Sequence, residues 1–371
     1  MQNAHQKPEL ESAARSSVSI GKTLFYIIVP ILTFLGLWQG FIFLRDSDTS
    51  RVLITVVAIV WGVGGVAMLF LIVNWLIEAL PAQWTRRLQP FLFVGPGVAI
   101  LIWFLALPTV RTVILSFMND ISTQYVGLDN FIFAFTDRVM LEAFLNNLQW
   151  MVFGTGFCVS VGLLIAVLAD RSRFETIYKA IIFMPMAISF VGAGVIWKFM
   201  YAYKGEGVNV TEIGLLNAIM VALGGQAQAW LLQPPWNNYF LMVIMVWLQT
   251  GYAMVMFSSA IKGIPAELLE AARIDGANEF QIFFSIIIPS IQGTLITVTT
   301  TIVIFSLKLF DIVRVMTGGN NGTNVIANEF YIQQFTYGNA GRASAVAVVL
   351  LIAVIPLMIY NLQQFRDRKA F

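Results

Sequence analysis

Eight apolar runs of about 20 residues set the solvent of this chain before any motif is read, because that length crosses a hydrocarbon core of roughly 30 Å. They are Leu24 to Leu44, Val52 to Leu76, Phe91 to Leu115, Leu148 to Ala169, Ala180 to Met200, Tyr239 to Ile261, Ile286 to Leu309 and Ala343 to Tyr360. Backbone N–H and C=O groups in lipid find no water to bond, so each run has to be a helix; none alternates as a barrel strand would. Charged residues make up 11% and apolar residues 58%, against about 25% charged in a soluble globular chain. The expected fold is all-α, a polytopic membrane protein of about eight transmembrane helices.

Lys and Arg orient the spans, since cytoplasmic loops retain them. With the N-terminus placed in the cytoplasm, 13 of the 22 fall on inner segments: Lys7, Arg15, Lys22, Arg86, Arg87, Arg171, Arg173, Lys179, Lys262, Arg273, Arg366, Arg368 and Lys369. Both termini are therefore expected to be cytoplasmic, the first 22 residues forming a mobile polar tail. The first run is too long for a signal-peptide core and lacks a small-x-small cleavage site, so it reads as a retained helix. A net charge of +2 gives no basic surface for nucleic acid. One cysteine, Cys158, and one histidine, His5, exclude an internal disulfide and leave no metal cluster.

The most structured polar stretch lies between two of the spans. Glu267 to Pro289 reads ELLEAARIDGANEFQIFFSIIIP. Pro265 suits a first helical turn, a helix follows from Ala266 to Arg273 with a Glu270–Arg273 pair, and Gly276 supplies the stop. Glu279 to Ser285 reads as a second short helix running into the membrane. Ala271 and Ala272 are small enough for another protein to approach the backbone, which is the geometry of a knob for a socket.

Glu270-Ala271-Ala272, then Gly276, Ile286, Ile288 and Pro289, resembles the EAA signature of permease subunits in bacterial ABC importers, with Ile288 where leucine is usual. Ile264-Pro265, Glu267-Leu268, Ile274-Asp275-Gly276-Ala277, Val126 to Phe131 and Phe310 to Val313 followed by Thr317-Gly318-Gly319 resemble the carbohydrate, MalF-like branch. The likeness runs from about Phe91 to the C-terminus. It implies a six-helix type I importer core at 91–371, an added N-terminal helix pair at 23–80 beyond the 1–22 tail, and a cytoplasmic coupling helix at 265–285. Glu267, Glu270, Ala271, Ala272, Asp275 and Gly276 would then meet the ATPase. The implied partners are a second, MalG-like permease, two copies of a cytoplasmic ABC ATPase that bind ATP and Mg, and a periplasmic or lipid-anchored sugar-binding protein, all assembled in the bacterial inner membrane.

An enzyme of this size should show a nucleophile with its base, a metal cluster or a phosphate loop, and none is visible. Gly21-Lys22-Thr23 resembles the end of a phosphate loop, but Ser16 replaces the first glycine and no strand precedes it. Asn209-Val210-Thr211 and Asn321-Gly322-Thr323 match a glycosylation pattern that such short motifs meet by accident. No cofactor is expected in this chain.

Solute contacts are expected at mid-membrane depth on the sixth and seventh runs. Gln249 and Tyr252 are three apart and share a helix face; Phe305, Ser306 and Lys308 follow on the seventh, and the resemblance points to Tyr252, Phe305 and Ser306. A cation in hydrocarbon costs at least about 2.5 kcal/mol, so Lys308 should pair with Asp311 or snorkel to the interface. Gly36 and Gly40 form a small-xxx-small seam in the first helix, Leu215 to Leu223 suits an interfacial helix, and Thr317 to Gly322 requires a tight, exposed turn. An amino-acid or peptide importer, an ion-driven secondary transporter and a membrane scaffold are the alternatives.

Overall fold

The computed structural model describes residues 20–170, 172–204 and 214–368. The tail through residue 19 with His5, the cations Lys7, Arg15, Arg171 and Lys369, and the Asn209 glycosylation pattern lie outside the described residues. Among the described residues fifteen helices follow in order: α1 Ile20–Asp46, α2 Arg51–Glu78, α3 Ala82–Leu115, α4 Asp129–Thr136, α5 Arg138–Asp170, α6 Glu175–Ala187, α7 Phe190–Met200, α8 Leu215–Ala222, α9 Trp236–Lys262, α10 Ala266–Ile274, α11 Glu279–Ser290, α12 Gln292–Leu307, α13 Asp311–Met316, α14 Ile326–Tyr331 and α15 Ala340–Arg368. Among the described residues there is no strand, only the isolated bridge between Met118 and Tyr125.

Among the described residues six helices are long and apolar enough to cross a membrane, and two bent pairs raise the number to eight if each pair is one span. The bent pairs amend two of the expected runs. Ala180 to Met200 is α6 and α7, turned by 103°. Pro185 sits in a 3₁₀ turn at Met184–Ala187, and Ser189 restarts the chain as an N-cap, accepting from Gly192 N at 3.1 Å. Ile286 to Leu309 is α11 and α12, turned by 72°. Pro289 has no N–H to give Ser285, and the preceding turn Phe283–Ile287 widens to a π-helix before the chain breaks at Ile291.

The chain divides into two compact units within α3, at Pro108/Thr109. In the first, α1 and α2 are held by one indole: Trp61 Nε1 donates to Leu37 O at 3.0 Å. Its ring lies so close over Gly40 that a Cβ there would be 2.2 Å from Trp61 Cδ1, whereas one on Gly36 would meet nothing within 4 Å. The expected glycine seam is thus reduced to Gly40.

In the second unit α9 is central, with 61% of its apolar window buried against 33% for α5. Two small residues set its neighbours. A Cβ on Gly162 of α5 would come within 2.6 Å of Ala253, and one on Gly251 within 2.7 Å of Ile182 O and Phe183 Cα of α6. Helix axes approach this closely in apolar surroundings only where side chains are absent. Cys158 is buried on α5 and serves packing.

Candidate functional site

Hairpin α10–α11 begins where α9 ends, across Gly263 to Pro265. Its turn has the six-residue helix-stop geometry in which Ala277 N donates to Ala272 O at 3.0 Å and Gly276 N to Arg273 O at 3.1 Å. Gly276 carries φ +82°, and a Cβ on it would meet nothing within 4 Å, so glycine is required by the backbone angle rather than by space. Asn278 and Gln281 then form a reciprocal capping box that starts α11. Arg273 pairs with Glu279 across the turn at 3.2 Å, not with Glu270 as its helix spacing suggested.

Leu269, Ala272 and Ala277 seat the hairpin against the core. The opposite face is bare: Glu267, Glu270, Ala271, Asp275 and Gly276 are exposed, together with Leu268 and Ile274, the latter 85% exposed. Acidic residues, alanine and uncovered aliphatics on a rigid turn make a docking surface.

A second feature lies deeper in the same unit. A cavity of about 410 Å³ is walled by Met186 of α6, Phe190 of α7, Gln249 and Tyr252 of α9, Thr301, Ile302, Ile304 and Phe305 of α12, and Lys308 just beyond it. Phe190 and Phe305 stand 4.8 Å apart between ring centroids. The cavity thus offers two rings, an amide, a phenol, a hydroxyl and an ammonium group, the complement that holds a polyhydroxylated solute by stacking and hydrogen bonds.

Residues 158–370, more than half of the chain, match the family described as binding-protein-dependent transport system inner membrane component. The chain belongs to that family. Among relatives of this permease, the osmoprotective compounds uptake permease protein GgtC of Synechocystis is 55% identical over 75% of this chain and 99% of its own length. The alpha-glucoside transport system permease protein AglF of Rhizobium meliloti is 48% identical over 75% of this chain and 82% of its own. A bacterial alginate ABC transporter, crystallised with its pentasaccharide-bound periplasmic protein, has a chain of the same fold, with TM-score 0.65 and 19% identity over 74% of this chain and 93% of that one. The protein is a multi-pass permease subunit of an ABC importer.

Of the pathway residues expected from the permease's sequence, the cavity brings together Gln249, Tyr252, Phe305 and Lys308. Ser306 is not among them. It is fully buried on the other side of α12, where its Oγ lies 3.1 Å from Thr155 Oγ1 and donates to Ile302 O. Ser306 is turned toward α5 through its Thr155 contact, whereas Phe305 and Lys308, three apart, both reach the cavity. Asp311 opens α13, and among the described residues it forms no ion pair with Lys308.

Sequence reasoning missed Met186 and Phe190, which reach the cavity because α6 and α7 bend at Pro185. It also missed two asparagine pairs at the far end of the bundle from the hairpin. Asn146 donates to Gly322 O and Asn324 O at 2.9 and 2.8 Å, and Asn237 donates to Asn321 O at 2.6 Å. Asn147 accepts from Ile326 N at 2.9 Å and donates to Leu307 O at 3.1 Å, serving the last turn of α12 and the first of α14 with one side chain. Turn 317–322 is consequently exposed only at Asn320 and Asn321 and is pinned from beneath. Doubled asparagines at the ends of apolar helices were the available signal.

Proposed function

We propose that this permease forms half of the translocation pathway of an ATP-driven importer whose solute is a sugar, an oligosaccharide or glycoside. The observation that carries the reading is the cavity, in which the face of a sugar ring can lie against Phe190, Phe305 or Tyr252 while Gln249, Thr301 and Lys308 bond its hydroxyls. The name of one relative, a permease for alpha-glucosides, supports the same solute class. The other half of the pathway is a MalG-like permease. A periplasmic or lipid-anchored binding protein delivers the sugar to the asparagine-pinned end, and two ATPase subunits carry ATP and Mg and perform hydrolysis.

In this reading both termini and the α10–α11 hairpin face the cytoplasm of a bacterium whose inner membrane holds the assembly. Closure of the ATPases on ATP moves the exposed face of Glu267, Glu270, Ala271, Asp275 and Gly276, with Ala272 carrying the motion from beneath, and the passage changes the side to which it opens. Lys308, which has no anionic partner among the described residues, favours a second reading in which the solute carries a carboxylate.

The test is uptake by the assembled transporter in proteoliposomes, using a labelled neutral α-glucoside, its carboxylate-bearing counterpart and an amino acid. Tyr252→Ala and Phe305→Ala are each expected to raise the KM for the preferred glycoside about tenfold, the loss of one stacking ring of ~1 kcal/mol and its packed area. Lys308→Gln should leave the neutral solute within about twofold and depress only the acidic one. Preferred uptake of the amino acid, or an unchanged KM in both aromatic variants, would overturn the sugar reading.

A further inference from the structure

Lys179 of α6 is a hub between three helix ends. Its ammonium is 2.5 Å from Asp170 Oδ1 at the end of α5, and it also bonds Glu175 at the start of α6 and Ser258 of α9. Ser258, only 3% exposed, donates in turn to Asp170 Oδ1 at 2.7 Å. One turn further on, Lys262, the last residue of α9, reaches Glu175 Oε1 at 2.5 Å. The hub is partly sheltered, with Lys179 and Asp170 18% and 11% exposed. Four residues after Lys262 the coupling hairpin begins with Ala266.

The other end of α6 carries Met186, and the bend after it delivers Phe190; both wall the cavity. Between hub and cavity α6 is already locked to α9, because Gly251 leaves no room between its own backbone and that of Ile182 and Phe183. Helix α6 is therefore fastened to α9 at two heights. Two fixed points remove the rotation about a single contact that would let the helices slide past each other.

We infer that the Asp170, Glu175, Lys179 and Lys262 junction makes α6 a second arm of the coupling hairpin, so that a push on α10 reaches Met186 and Phe190 as well as the α9 residues of the cavity. These are positioning residues, and the inference rests on the proposed role of the hairpin. The half-exposed Lys262–Glu175 pair contributes little to stability, as ion pairs at such sites do. What they contribute is direction: without the Glu175 bridges α6 keeps its contact at Gly251 and its Lys179–Ser258 bond but loses Lys262, the last residue of α9, where force enters.

The test uses the whole transporter with a cysteine at Met186, a 43% exposed position, in a chain whose one native cysteine is fully buried. Maleimide labelling of this chain is timed with and without ATP and vanadate. The labelling rate is expected to change about fivefold or more with nucleotide, the lower range of allosteric coupling, to change less than about twofold once Glu175→Gln is added, and to keep its full change with Lys179→Arg. Lys262→Gln, at a side chain 52% exposed, breaks one of the same bridges and covers the case in which Glu175→Gln does not assemble. A full nucleotide response in both glutamine variants, or no response in Met186→Cys alone, overturns the junction. Gly276→Asp separates the two levels of inference: if it abolishes the response while Glu175→Gln does not, the hairpin reading stands and the junction falls, and if it too leaves the response intact the hairpin reading falls.

Discussion

Replacing Gly276 by aspartate should lower ATP-driven uptake about ten- to hundredfold while leaving the amount of protein in the membrane unchanged. The turn bends at φ +82°, where a residue with a Cβ is strained by about 1–3 kcal/mol, and a tenfold change in an equilibrium needs 1.4 kcal/mol. On α10 and the turn after it, only Leu269, Ala272 and Ala277 are seated on the core. Relief of the strain therefore comes by shifting the hairpin, and the population presenting Glu267, Ala271 and Asp275 in the docking register falls accordingly. The new carboxylate also lands beside Asp275 on an exposed surface. Because no atom lies within 4 Å of the missing Cβ, Gly276→Asn, which meets the same backbone angle but adds no charge, should keep more of the uptake than Gly276→Asp. Equal uptake by Gly276→Asp and the parent, measured at equal membrane content, contradicts the coupling role.

Gly251→Val should act by a different route, abolishing assembly rather than coupling. Its Cβ would sit 2.7 Å from Ile182 O and Phe183 Cα, which are backbone atoms and cannot rotate away. Overpacking of this kind costs about 1–3 kcal/mol where side chains can adjust, and more where a backbone must move. The displaced helix is α6, so the cavity wall at Met186 and Phe190 and the junction at Lys179 shift together. The expected outcome is a lower thermal midpoint of the detergent-purified subunit and loss of the complex with its partners. Gly251→Ala, with the same close Cβ but no further atoms, should be milder; a Val variant with the parent's thermal midpoint would show that α6 and α9 are not in the described contact.

The spans and the hairpin were legible because both write themselves locally. Twenty apolar residues need no partner to be recognised, and Pro265 and Gly276 act within one or two turns. The cavity was half legible. Gln249 and Tyr252 share a face by spacing alone, and so do Phe305 and Lys308, whereas the turn of Ser306 toward Thr155 depends on the packing of α5. Met186 and Phe190 were hidden because a proline inside an apolar run marks a possible bend without giving its angle, and 103° is what turns them inward. The Arg273–Glu279 pair was missed for a related reason: an ion pair across a turn depends on the turn's geometry, whereas Glu270 and Arg273 share a helix face in any register. Asn147 shows the remaining limit, since its partners at Leu307 and Ile326 are more than 150 residues away in sequence.

The most direct measurement is a cross-link from Ile274→Cys, the most exposed aliphatic on the hairpin at 85%, in a chain whose only other thiol, Cys158, is buried. With a short thiol-reactive photo-cross-linker in the assembled transporter, a product joining this subunit to the ATPase is expected, weakened in Gly276→Asp. Labelling confined to lipid, or a cross-link that forms with the binding protein instead, would mean that the hairpin is not the point where ATP-driven motion enters the permease.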